Sequence, residues 1–265
     1  MSDAAVADQG TWRKGEVVRW TDLFFFVEAS FVWIGVLFVA AFVAASVLIQ
    51  NHLPPSMFLE NFRGLSKNYA FVQAVGVSYY LVLLYFLWRI TRRVAPSALV
   101  ARYRSVPLAK VAIGVLAGLA LGIAVPLLSA YLINNNLIEL QPTEGEKLLM
   151  PATPGQLPLV LVTVSLVAPF TEELFFRGVV LSWLKRKMPI LLAIVVSAAI
   201  FALAHFDFVA HSGAGGWYVT GVIGVVGLVN AVLAVRTGSL WAPFGLHAAY
   251  NATLISLPVL ADALR

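Results

Sequence analysis

The chain has 265 residues, of which 60% are hydrophobic and only 12% charged, with a formal net charge of +5 and a mean hydropathy of +0.88. Soluble domains carry about 25% charged residues, so this chain lacks the polar groups to cover a water-facing surface. A soluble enzyme, a nucleic-acid binder and a disordered chain are excluded, as are disulfides, thiolate metal sites and a cysteine nucleophile, because there is no cysteine.

The expected fold is all-α, a polytopic bundle of about seven transmembrane helices, with six to eight spans allowed. Residues 1–22 read as a polar cytoplasmic tail without the apolar core and small-residue cleavage site of a signal peptide. The rest, 23–265, reads as one membrane-embedded domain. The apolar runs are Leu23–Ile49, Tyr69–Trp88, Val111–Ile133, Leu157–Trp183, Pro189–Phe206, Trp217–Val235 and Leu240–Ala261. Each is long enough for a hydrocarbon core of about 30 Å, whereas barrel strands would alternate apolar and polar residues. Trp20, Trp88, Trp183, Trp217 and Trp241 fall near span ends, where interfacial aromatics belong.

Seven alternating spans put Arg13, Lys14 and Arg19, the six cations from Arg89 to Lys110, Lys185–Lys187 and Arg236 on one side. The other side has Arg63, Lys67, Lys147 and Arg265. This imbalance predicts a cytoplasmic N-terminus in a cell (inner) membrane.

Four places in the later spans break the apolar pattern. In the fourth, Glu172, Glu173 and Arg177 follow Pro169. Each such charge costs about 2.5–3.5 kcal/mol at a helix centre, so the three total roughly 8–10 kcal/mol before pairing. On a helix Glu173 and Arg177 share a face, while Glu172 points about 100° away. The fifth span ends with His205. The sixth carries Asn230, read as a packing residue, after Gly221, Gly224 and Gly227, read as small residues for close helix approach. The seventh places His247 and Asn251 on one face. Glu28 reads as snorkelling to the interface, and His52 and His211 as loop residues.

Two Glu, one Arg, two His and one Asn facing one interior make a hydrolytic constellation. A carboxylate and an imidazole can activate water, and further donors can stabilise a tetrahedral oxyanion, each worth about 2.7–4 kcal/mol. Neither a G-x-S-x-G elbow nor an H-E-x-x-H pair is present. Glu172, His205 and His247 are also the two-His, one-carboxylate set of a catalytic zinc. Metal-dependent and metal-free chemistry both stand at this point. So does a proton relay, and so does a non-catalytic membrane chaperone or immunity protein.

Glu172-Glu173-x-x-x-Arg177, Phe201-x-x-x-His205 and His247-x-x-x-Asn251 resemble the three motifs of the CPBP family. This is the CAAX protease and bacteriocin-processing (Abi) group, which includes the eukaryotic Ras-converting CAAX endoprotease. Thr237–Trp241 resembles its lead-in to the last motif, and the resemblance covers roughly 157–257. It implies an intramembrane endopeptidase, a hydrolase usually named a metalloprotease although a metal-free, glutamate-dependent mechanism is also argued for the group, acting on a peptide or membrane-protein substrate. By motif position Glu172 activates water with His205, Glu173 and Arg177 support that pair, and His247 and Asn251 form the oxyanion site. One tension is depth. At 1.5 Å per residue, Glu172 lies about 18–20 Å from the lysine-bearing end, His205 about 24–27 Å, and His247 about 16 Å from Arg236.

Overall fold

The computed structural model describes residues 17–50, 69–141, 147, 150–151, 153–205 and 213–263. His52 and His211 lie outside these residues, as do 1–16 of the tail.

A 3₁₀ turn, Trp20–Phe24, leads into α1, Phe25–Gln50. Helix α2 is Tyr69–Arg93 and α3 is Leu108–Asn134. The fourth span, α4, runs Pro154–Lys185. Helix α5 is Ile190–Leu203, α6 is Gly213–Thr237 and α7 is Trp241–Ala263. All but α5 are long and apolar enough to cross a membrane. Large apolar side chains such as Phe38, Leu116 and Leu191 are exposed on the outside of the bundle, the surface a lipid-embedded protein presents. The architecture is therefore the expected polytopic helical bundle.

The fifth span is the departure. Its 14 described helical residues extend about 21 Å, short of a bilayer core, and His205 sits in the turn that follows. A second departure lies within α4, which is not a uniform α-helix. Leu161–Val167 and Leu174–Val180 are π-helical and flank an α-helical segment, Ala168–Glu173. Such wide turns are rare and concentrate at functional sites.

Helix α4 is central, touching α2, α5, α6 and α7, while α1 packs outside α2. The core at one end of the bundle is apolar and includes Phe25, Leu83, Leu87, Phe175 and Leu181. The segment before α1 is tied beneath it by the Arg93–Asp22 ion pair and by Arg186 donating to the Val18 carbonyl.

The closest helix approach is between α3 and α7. A Cβ on Gly114 would meet Ala242 O at 2.1 Å, and one on Gly118 would meet Leu246 O at 2.2 Å. At Gly122 it would meet the Thr253 side chain at 2.6 Å. These glycines, four apart on one face of α3, let the backbones touch. Of the glycines singled out in α6, Gly227 does serve a close approach, to Phe201 and Ala198 of α5, whereas Gly224 makes only ordinary contact with Ala202 and Gly221 faces open space. The longer glycine ladder is on α3, where it seats the helix that carries His247.

Candidate active site

Pro169 lies between the two π-helical stretches of α4. The Ala168 N–H donates five residues back to Thr163 O, and Pro169 has no N–H. Neither residue therefore serves the Val164 carbonyl. Asn251 does: its Nδ2 donates to Val164 O at 2.9 Å. An amide from α7 thus completes the hydrogen bonding of α4 two turns before Glu172.

Beyond this break the two glutamates diverge. Glu173 is fully buried, and its Oε1 accepts three hydrogen bonds: from Arg177 Nη1 at 3.2 Å, Asn230 Nδ2 at 3.0 Å and His247 Nδ1 at 2.9 Å. Arg177 is also fully buried and donates through Nη2 to Gly227 O at 3.0 Å. Its guanidinium lies 4.3 Å from the Phe201 ring centroid, within cation–π range. The pair is a closed ionic core in which α4, α6 and α7 meet.

Glu172 faces a different set of groups. Tyr80 of α2 donates to its Oε1 at 3.1 Å. Its Oε2 lies 4.0 Å from His205 Nε2 and 3.9 Å from His247 Nε2. These separations are too long for direct hydrogen bonds and suit a bridging water. The tautomers follow from the partners. His205 Nδ1 is 2.8 Å from the Phe201 carbonyl, which can only accept, so Nδ1 carries the proton. His247 Nδ1 must likewise donate to Glu173 Oε1. The ring nitrogen on the Glu172 side is then Nε2 in each, a lone pair when the ring is neutral and a donor when it is protonated. Phe201 contacts both imidazoles edge-on, at centroid distances of 4.7 and 5.7 Å. Side-chain exposure falls from 32% at His205 to 16% at Glu172, 6% at His247 and zero at Glu173. The cluster is accessible from the His205 side and closed behind.

The segment between α2 and α3 closes the other end. Tyr103 stacks on Phe170 with centroids 4.2 Å apart and donates to the Phe170 carbonyl at 2.9 Å. Trp241 and Phe244 pack against its edges. Burial, and next the negative charge of Glu173, push the Tyr103 phenol well above the usual tyrosine range, so it remains a neutral donor.

The structure therefore gathers Glu172, Glu173, Arg177, His205 and His247 from three helices. The expected difference in depth is absent: Glu172 Oε2 lies within 4.0 Å of both imidazoles. Asn251 is the exception among the expected residues, its amide donating to Val164 O rather than to the carboxylates. Two contacts were not anticipated. Asn230, read as packing, binds Glu173, and Tyr80 binds Glu172. The amide within an apolar span was a usable signal for Asn230. Nothing in sequence distinguishes Tyr80 from its neighbour Tyr79.

The donor types suit zinc, two Nε2 lone pairs and a carboxylate, but the spacing does not. Ligands about 2.0–2.2 Å from a tetrahedral metal lie about 3.3 Å apart, closer than the 3.9 and 4.0 Å found here. Among the described residues no group of three or more His, Asp or Glu is arranged to hold a metal ion.

Residues 154–253 match the family model described as Type II CAAX prenyl endopeptidase Rce1-like. The matched stretch runs from the start of α4 into α7 and contains all three motifs, bearing out the resemblance read from them. The chain is also similar to an "Uncharacterized 24.3 kDa protein" of Escherichia coli. The two are 25% identical over 186 residues, which is 69% of this chain and 78% of that protein. No solved structure matches the chain.

Proposed function

We propose that this chain, with an Rce1-like endopeptidase pattern over 154–253, is an intramembrane endopeptidase that hydrolyses a peptide bond with metal-free, carboxylate-activated water. The family match supports peptidase activity and the apolar helices support a membrane setting. The observation that carries the mechanism is the convergence of His205 Nε2, from the turn after α5, and His247 Nε2, from α7, at 4.0 and 3.9 Å from Glu172 Oε2 of α4.

A water about 2.8 Å from both Glu172 Oε2 and His205 Nε2 can donate one proton to each. Its oxygen lone pair is then free for a substrate carbonyl. Glu172 takes the proton as the C–O bond forms, and returns it to the amine as the C–N bond breaks. His247, fixed by Glu173, stabilises the tetrahedral oxyanion in its doubly protonated form, with a proton taken from solvent before attack: Nε2–H donates to the oxyanion and Nδ1–H to the Glu173 carboxylate that balances the charge. Tyr80 holds the second oxygen of Glu172 and so fixes its rotamer. The substrate is a peptide or membrane protein, and the N-terminus is cytoplasmic.

The test is cleavage of a peptide library by purified protein in detergent. Glu172→Gln should elute as folded protein and lose cleavage by at least three orders of magnitude. Full activity in that variant would remove Glu172 as the base. An inactive but folded wild type would favour a non-catalytic role.

A further inference from the structure

One stripe of α2 runs through positions 69, 73, 76, 80, 83, 87 and 90, spaced alternately by four and three, and is continued by Val94 just past the helix end. The stripe changes character at Tyr80. Towards the arginine-rich loop it is apolar and closed: Leu83, Leu87, Ile90 and Val94 are all buried. Towards the start of the helix it carries the polar side chains of Gln73 and Tyr69.

Gln73 is only 2% exposed; its Oε1 accepts from Thr163 Oγ1 of α4, while its Nε2 has no acceptor within the described protein. The Tyr69 hydroxyl, one turn further out, is also buried and has no partner among the described residues. Polar atoms left in that state cost about 1–3 kcal/mol each, a cost that water or a polar ligand removes. Between Gln73 and Tyr80 stands Gly76, where an added Cβ would meet nothing within 4 Å. The distance from Gln73 to Tyr80 along the axis is about 10 Å, and Tyr80 holds Glu172. On the same end of the bundle, α5 stops at Leu203 and leaves His205 the most exposed of the clustered side chains.

We infer that the α2–α4 seam, from Tyr69 past Gln73 and Gly76 to Tyr80, is a hydrated conduit that brings water to Glu172 from the end of the bundle opposite the arginine-rich loop. On the expected orientation that end is outside the cell. Its use in catalysis rests on the peptidase reading; its existence does not. The conduit supplies what hydrolysis within an apolar bundle requires, while the buried leucines and the stacked Tyr103 and Phe170 close the other end.

The natural absence of cysteine makes the test direct. Gln73→Cys and Tyr80→Cys are placed singly in proteoliposomes and treated from either side with a charged, membrane-impermeant thiosulfonate. Lys187→Cys, exposed at the basic end, reports sidedness. Both seam cysteines should react only from the side opposite Lys187→Cys. Adding Gly76→Leu, whose side chain enters open space, should slow labelling of Tyr80→Cys at least tenfold and leave Gln73→Cys unchanged. Gly76→Met takes its place if the leucine variant does not elute as folded protein. Labelling of Tyr80→Cys from the basic side, no labelling from either side, or indifference to Gly76→Leu would each overturn the conduit. In an otherwise unmodified chain, Gly76→Leu should also lower kcat at least tenfold. Blocked labelling with unchanged kcat overturns the water-supply role while leaving the peptidase reading intact.

Discussion

His247 Nδ1 and Glu173 Oε1 lie 2.9 Å apart, and the same oxygen takes Arg177 and Asn230. One buried carboxylate therefore orients an imidazole and neutralises a guanidinium at once. These two duties can be separated. Glu173→Gln leaves Arg177 without its counter-charge, at a cost of about 3–5 kcal/mol, and frees His247. The variant should show a large drop in thermal midpoint and lose cleavage. Replacing Arg177 by Met as well should restore much of the stability, because the unpaired charge is gone, but not the activity. Calorimetry in detergent beside a cleavage assay reads both.

Tyr80 donates to Glu172 Oε1 at 3.1 Å. A hydrogen bond to a charged group contributes about 1.5–3 kcal/mol. Tyr80→Phe keeps the ring and should lower kcat roughly ten- to a hundredfold with little change in KM or thermal midpoint. An unchanged kcat would show that Glu172 is held without the phenol.

Asn251 serves the Val164 carbonyl left by the break at Pro169. Asn251→Ala should destabilise the protein by about 1–3 kcal/mol, and its loss of activity should track that destabilisation. A large loss of kcat with an unchanged thermal midpoint would instead assign Asn251 to the oxyanion.

Gly118 of α3 lies against the Leu246 carbonyl, one residue before His247. Gly118→Ala cannot be accommodated without moving α7, so both stability and cleavage should fall. Gly221→Ala, on an open face of α6, should leave both unchanged. The comparison of the two thermal midpoints checks the packing account.

The spacing of Glu172, His205 and His247 exceeds that of zinc ligands. Cleavage should survive dialysis against a strong chelator, and elemental analysis of active protein should find less than a stoichiometric amount of divalent transition metal. Loss of activity on chelation, restored by zinc, would replace the water-bridged geometry with a metal-bound one.

Composition and run length determine the membrane bundle by themselves, because burying about 20 consecutive apolar residues has few physical solutions. The cost of intramembrane charge likewise singled out Glu172, Glu173 and Arg177. Tertiary structure alone decided which partner each side chain takes. Helical spacing separates Glu172 from Glu173 but does not say that one meets Tyr80 and two Nε2 atoms while the other meets Arg177, Asn230 and a Nδ1. It could not send Asn251 to a backbone carbonyl either, since that partner exists only because α4 widens into π-turns before Pro169. Sequence fixes what is costly to bury in lipid. Contacts between residues 33 to 92 positions apart, set by the π-turns of α4 and a glycine seam, decide how that cost is offset.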